Sequence, residues 1–348
     1  MVRNSALSGH APVLLPPNPV FRFYRGGSGI DVVRGREPGT GPGAPEDWVG
    51  STTTSFRHDS EGLATLSDGR ILREVIAADP VGYLGAAHVE RFGANTGILV
   101  KLLDTAERLS VHFHPDDEFA RTTLGSPFGK TEAWIILRAE AGAEMRLGLR
   151  TQLDSATLQR WVREQDSEEM LAALNPVPVA AGDVLFVPAG TLHTIGAGIT
   201  LIELQEPSDM SVVVEWQPAG VDPDEANLGL GWERVLVAAD TGPSQPVDKP
   251  APTPGAGCID LLPAAADSYF RAQRVSVQGD DLSLPASFAI LIVLDGELTL
   301  STREHAPLRL RTGDAAMVPY SAGETTVSGR GTLIRCLPPD PGTEDART

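Results

Sequence analysis

The feature that most constrains the fold of this chain is a strand signature that occurs twice. "GDVLFVPAGTLHTI" begins at Gly182 and "GDAAMVPYSAGETTV" at Gly313. In each, a Gly-Asp pair is followed by four mostly apolar residues and then by proline, six positions after the glycine. Gly-Asp suits a tight turn and the apolar run suits a strand. Proline ends it because it has no N–H to give to a ladder. The same device at two distant places predicts two β-barrels of one type. The stretch before the second copy, "ILIVLDGELTL" at 290–300, reads as a hairpin turning at Asp295-Gly296. Elsewhere, short runs of Val, Ile, Leu and Thr alternate with Gly, Pro and Asp turns, so the fold is expected to be mainly β.

At 348 residues the chain exceeds one ordinary domain. Residues 240–257, "DTGPSQPVDKPAPTPGAG", read as a Pro/Gly-rich linker. That divides the chain into an N-terminal part, 1–239, a C-terminal barrel, 258–338, and a tail, 339–348, expected to be disordered. Residues 35–46 read as a Gly/Pro loop. Helical insertions are expected in the N-terminal part. One spans 79–93, with Asp79 as cap and Pro80 in the first turn. The other spans 154–175, with Leu158, Trp161, Val162, Met170, Leu171 and Leu174 on one face and Pro176 closing it. This second helix is expected to be a lid or wall rather than a carrier of chemistry.

Charge excludes some partners. The net charge is −18, which argues against nucleic acid or an anionic membrane surface. No apolar run reaches the roughly eighteen residues of a membrane span, and the apolar patch at the N-terminus is too short and proline-broken for a signal peptide. Cys258 and Cys336 form neither a disulfide framework nor a thiolate cluster. A cytoplasmic monomer or homodimer is expected. Of the 28 basic residues only three are lysines, at 101, 130 and 249.

Two of the seven histidines, His112 and His114, stand one residue apart in "LSVHFHPDDEFA". In a strand, residues i and i+2 face the same side, so the two imidazoles and Ser110 share a face. Lys130 and Glu132 share a face in "GKTEAWIIL" by the same rule, and His193 follows the Pro188–Gly190 turn. Asp116 and Asp117 suit a turn or cap. Taken alone, a His-x-His pair is compatible with two half-exposed strand histidines. With Glu132 and His193 added, the set is a nitrogen/oxygen site suited to Zn²⁺, Mn²⁺, Fe²⁺, Co²⁺ or Ni²⁺ and too rich in nitrogen for Mg²⁺ or Ca²⁺. The C-terminal barrel has Glu324 where His193 stands in the first. Its preceding strand has no histidine, and His305 falls in a polar stretch, so that barrel is expected to be metal-free.

These motifs resemble the two sequence motifs of the cupin superfamily and, more closely, the type I mannose-6-phosphate isomerase family. The segments that carry the resemblance are "HVERFG", "ILVKLLDTAERLSVHFHPDDEFA", "GKTEAWIIL", "PVPVAAGDVLFVPAGTLHTIG" and "IELQEPSD", in that order. It is strong over about 80–210. The resemblance implies two cupin-type jelly-roll barrels and aldose–ketose isomerisation of mannose 6-phosphate and fructose 6-phosphate through an enediol. It also implies one divalent metal, Zn²⁺ being expected, held by His112, His114, Glu132 and His193. Lys130 and Glu203 are implied as catalytic residues, and Ser110, Lys101, Lys130, Gln205 and Asp209 as substrate contacts. Two positions depart from the family: His112 stands where relatives have glutamine, and Val213 where they have an arginine used for substrate. The loops near Arg25 and Arg121 are candidate places for a replacement arginine, which the sequence itself does not show. Val213 also keeps open an isomerase of a free aldose, mannose or lyxose. A metal- and sugar-binding cupin without turnover is the third possibility.

Overall fold

Both Gly-Asp turns form as the sequence predicts. Gly182 and Gly313 have φ of 94° and 90°, a left-handed conformation in which glycine carries no Cβ penalty. The computed structural model describes residues 9–244 and 255–342. In it, strand Val184–Val187 pairs with Glu132–Ala139, and Ala315–Val318 pairs with Ala289–Thr302. The registers correspond: Val187 lies opposite Glu132, and Val318 opposite Ala289. The likeness extends further. Ile199–Gln205 lies between Leu99–Thr105 and Glu132–Ala139, just as Thr325–Leu337 lies between Arg271–Gln278 and Ala289–Thr302. The chain is mainly β, and its two units repeat one pairing scheme.

The N-terminal unit consists of two facing sheets. One has six strands, with Leu99–Thr105, Ile199–Gln205 and Glu132–Ala139 at its centre. The other has five and includes His112–Phe113, His193–Thr194 and Glu144–Leu149. The six-stranded sheet is buried on both faces, which explains why its strands do not alternate polar with apolar residues. One face sets Leu103, Trp134, Ile136 and Leu201 against Met145 and Leu147 of the five-stranded sheet. The other sets Val100, Leu102, Ile202 and Leu204 against Ile290, Ile292 and Ile334 of the C-terminal unit. Burial of each such side chain stabilises by about 1.5–3 kcal/mol, so the two units share one core.

Several sequence expectations are corrected. Val13–Leu14, from the N-terminal part, adds to the C-terminal sheet opposite Met317 and Ala316. Asp295-Gly296 is not a hairpin turn. Ala289–Thr302 runs straight through with a bulge between Val293 and Asp295, and Gly296 is needed because a Cβ there would lie 2.1 Å from the Arg330 carbonyl oxygen. The helix expected over 79–93 is two, Pro80–Leu84 and Ala86–Phe92, broken at Gly85 with φ 89°. Asp79 caps the first through the Gly82 N–H, as expected. The helix expected over 154–175 is likewise two, Ser155–Glu164 and Ser167–Ala173, broken at Gln165 in the left-handed conformation and recapped by Asp166. Leu174 already belongs to a strand, Leu174–Pro178, whose edge position tolerates Pro176. Helix Leu72–Ala78 was not anticipated. Most of the expected linker, 245–254, and of the expected tail, 343–348, lies outside the described residues. Asp340 is anchored by a hydrogen bond from its N–H to the Asp267 carbonyl.

Candidate active site

Three of the expected ligands come from the five-stranded sheet and the turns beside it. His112 and His193 are direct cross-strand partners. Gly190, with φ 82°, ends the turn before His193 and donates its N–H to the His114 carbonyl at 2.7 Å, tying the two ligand segments together. The imidazole centroids lie 4.1 Å (His112–His193), 5.1 Å (His112–His114) and 5.1 Å (His114–His193) apart. Among the described residues these three form the one group of His, Cys, Asp or Glu whose ligand atoms all fall within 4.8 Å of one another.

Hydrogen bonding fixes how each imidazole is presented. Each Nδ1 lies 2.8 Å from a backbone carbonyl: His112 from Ser110, His114 from Met210 and His193 from Thr191. A carbonyl can only accept, so each Nδ1 carries the proton and each Nε2 keeps its lone pair. The Nε2 atoms of His114 and His193 are buried without a hydrogen-bond partner. Burial lowers all three imidazole pKa values, well below the ordinary range for His112 and to about 4 for His193. Neutral imidazoles with inward lone pairs are metal ligands in waiting.

The fourth expected ligand, Glu132, comes from the facing sheet. Gly129 lets the chain pass close enough to place it, since a Cβ there would lie 2.5 Å from the Asp116 carbonyl carbon. Lys130 N–H then bonds to the Pro115 carbonyl, and Glu132 opens the next strand. Its Oε1 lies 3.1 Å from His114 Nε2 and its Oε2 3.7 Å from His193 Nε2. Burial pushes its pKa up, but the adjoining His114 imidazole and the Lys130 ammonium outweigh this and hold the carboxyl well below the usual range. Three neutral nitrogens and one carboxylate fit a zinc-type ion.

Behind this cluster the six-stranded sheet carries a buried charge network. Lys101 Nζ lies 3.2 Å from Glu203, 3.6 Å from Glu46 and 3.7 Å from Asp209, and 4.8 Å over the Trp48 ring. Burial opposes its charge, but the three carboxylates more than compensate and raise its pKa. Glu203 behaves differently: burial and the Glu132 charge raise it to about 7, only partly offset by Lys101 and Lys130. Trp134 Nε1 donates to Glu203 Oε1 at 3.2 Å. Lys130 Nζ lies 3.2 Å from Glu132 Oε1 and 3.4 Å from the Ser211 hydroxyl.

His112, His193, Glu132, Lys101, Lys130 and Glu203 all line one cavity. It adjoins an outer groove, and Arg22, Phe23, Ser211 and Val213 line both. The other expected substrate residues sit further back. Ser110 is buried and gives its carbonyl to His112, while Gln205 donates to the Ser208 and Glu206 carbonyls; neither is on the cavity wall. Asp209 reaches the outer groove, where Arg22 holds its pKa at about 2 against the effect of burial. Arg25 pairs with Glu107 and Arg121 is exposed; neither reaches the cavity. Asp116 caps a short helix through the Phe119 N–H, as expected.

Sequence reasoning missed Arg22 and Glu46. Glu46 accepts 2.6 Å hydrogen bonds from the Tyr24 hydroxyl and the Trp48 indole, besides facing Lys101 and Arg22. The signal was the requirement that a lysine in an apolar strand find carboxylates on its neighbours.

Comparison with known proteins agrees with this geometry. A family model described as "Phosphomannose isomerase type I, catalytic domain" matches residues 41–172, and one described as "Mannose-6-phosphate isomerase, cupin domain" matches 263–338. The mannose-6-phosphate isomerase of Streptococcus mutans is 29% identical over 286 residues, covering 79% of this chain and 84% of that protein. The crystal structure of the Bacillus subtilis mannose 6-phosphate isomerase superposes with a TM-score of 0.68 at 24% identity, over 94% of this chain and 99% of that one. A variant of the Salmonella typhimurium phosphomannose isomerase gives a TM-score of 0.72 at 17% identity, over 94% of this chain and all of that one. At these identities the solved structures speak for the fold alone.

Proposed function

The chain is an enzyme of the type I phosphomannose isomerase family, and from that premise we propose that it interconverts mannose 6-phosphate and fructose 6-phosphate in the cavity between its two N-terminal sheets. One observation carries the proposal: a single cavity brings the imidazole–carboxylate cluster together with a further buried carboxyl, Glu203. The repeated strand pairing supports reading the two units as cupin-type jelly rolls.

His112, His114 and His193 through Nε2, with the Glu132 carboxylate, would hold one divalent cation, Zn²⁺ being expected. When bound, that cation supplies a Lewis acid that polarises the carbonyl of the ring-opened sugar and acidifies the neighbouring C–H. Glu203 moves the proton between C1 and C2, passing through an enediol. The reaction is reversible, so one group must accept the proton in one direction and return it in the other. Burial favours the protonated form of Glu203 and the neighbouring Lys101 its ionised one, so the carboxyl can both take up and return a proton. Lys101, 3.2 Å away, keeps the Glu203 pKa from rising further, and the Trp134 N–H orients the carboxyl. Lys130 donates hydrogen bonds to the sugar oxygen on which negative charge develops. Leu103, Leu109 and Ile195 also line the cavity and limit water around the reacting carbons.

A second reading, isomerisation of a free aldose such as mannose or lyxose, is favoured by the uncharged Val213 on the wall shared by cavity and groove. Turnover of mannose 6-phosphate, mannose and lyxose by the purified protein, before and after chelation, decides between them. Fastest turnover of the phosphate, abolished by chelation, supports the proposal. Faster turnover of a free sugar favours the second reading, and no turnover favours a binding protein.

A further inference from the structure

Resting on the reading of a phosphorylated substrate, we propose that Arg22 recognises the phosphate and so sets the preference for sugar phosphate over free sugar. The reacting carbons of a hexose 6-phosphate are C1 and C2, and the phosphate sits at the far end, on C6. With C1 and C2 at the imidazole cluster, the phosphate must lie toward the outer groove. Of the four residues that line both spaces, Arg22 alone is charged.

The other cations do not fit this role. Lys101 is 2% exposed and held by three carboxylates, and Lys130 sits against Glu132 deep in the cavity. On the groove wall the other titratable side chains are His58, Glu61, Asp209 and Glu225, and His58 lies 3.7 Å from Glu61. Arg22 is therefore the one permanently cationic side chain on that wall.

The guanidinium is also presented in a usable form. Its Nη1 and Nη2 lie 3.0 and 3.4 Å from the two carboxylate oxygens of Asp209, and its Nε lies 3.5 Å from Glu46 Oε1. Each Nη carries two N–H groups, so one on each remains after Asp209 is satisfied. The two carboxylates fix the plane of the fork, which reduces the ordering required when an anion binds, and the side chain stays 19% exposed. The planar fork suits bidentate contact with phosphate oxygens.

The test is kcat/KM for mannose 6-phosphate and for free mannose in wild type, Arg22→Gln and Arg22→Lys, with thermal melting and metal content measured alongside. Arg22→Gln should lower the phosphate-to-free ratio about ten- to a hundredfold, mainly through KM for the phosphate. Arg22→Lys, which keeps the charge and loses the fork, should lower it several-fold. A purely structural role would depress both substrates alike and leave the ratio unchanged, and that result overturns the assignment. If Arg22→Gln does not fold, the lysine variant decides by the same ratio. A wild type that prefers free mannose overturns the reading of function and this assignment with it. A wild type that prefers the phosphate, with a preference that survives both substitutions, overturns this assignment alone.

Discussion

Replacing Lys101 with methionine tests whether the buried charge network is what the geometry indicates. The ammonium is 2% exposed and lies 3.2, 3.6 and 3.7 Å from Glu203, Glu46 and Asp209. At an effective dielectric constant of about 20, a pair 3.2 Å apart attracts by about 5 kcal/mol, most of it consumed by taking the charges out of water. Removing one partner leaves the others buried without compensation, and for buried pairs this costs about 3–5 kcal/mol. At roughly 2–4 °C per kcal/mol, Tm should fall by about 6–20 °C. The loss should also depend on pH. Lys101 is the leading influence holding Glu46 down and the leading one limiting the rise of Glu203. Without it the folded pKa of each carboxyl rises. A carboxyl with a raised folded pKa is favourable to folding at low pH and loses that contribution as pH rises through the folded value. The gap between Lys101→Met and wild type should therefore widen from pH 5 to pH 8. Urea unfolding at several pH values measures it. A variant as stable as wild type, with a gap that does not change with pH, would refute the reasoning, because it would mean that the three carboxylates do not depend on Lys101.

Two further outcomes are expected. Glu203→Gln should lower kcat by about 10²–10⁴ while metal content, checked by elemental analysis, stays at the wild-type level; normal turnover would remove Glu203 from proton transfer. Metal-stripped protein should lose stability as pH falls from about 6.5 toward 4, because the unfolded imidazoles bind protons near 6.5 and the folded ones do so only lower, about 4 for His193. His193 alone accounts for about 3 kcal/mol across that window, and unfolding curves that coincide at pH 7 and pH 5 would contradict it.

The candidate metal ligands were legible because period-two geometry and turn chemistry are local. His112 and His114 share a face whatever the rest of the chain does, and His193 follows a Pro-Gly turn. Elements also failed locally. Gly85 and Gln165 each adopt positive φ in the middle of a helical pattern, and nothing in the apolar spacing signals that. Asp295-Gly296 carries a hairpin dipeptide, yet the glycine serves the close approach of the 330–331 backbone instead. The charge network was hidden for a different reason. Glu46 is the last residue of a stretch that reads as a Gly/Pro loop, and it meets Lys101 through a strand pairing that places Trp48 opposite Lys101. Arg22 reaches Asp209 across 187 positions of sequence. Contacts of that range have no local pattern and become visible only when the sheets are assembled.

We propose that one divalent ion, held by three imidazoles and Glu132, makes this cavity an isomerase of mannose 6-phosphate. The most direct test is to strip the protein with chelator and titrate Zn²⁺ back while following conversion of mannose 6-phosphate to fructose 6-phosphate. Activity should vanish on stripping, return linearly and break at one equivalent per chain. Activity that survives complete stripping, or a break at two equivalents, would contradict the account.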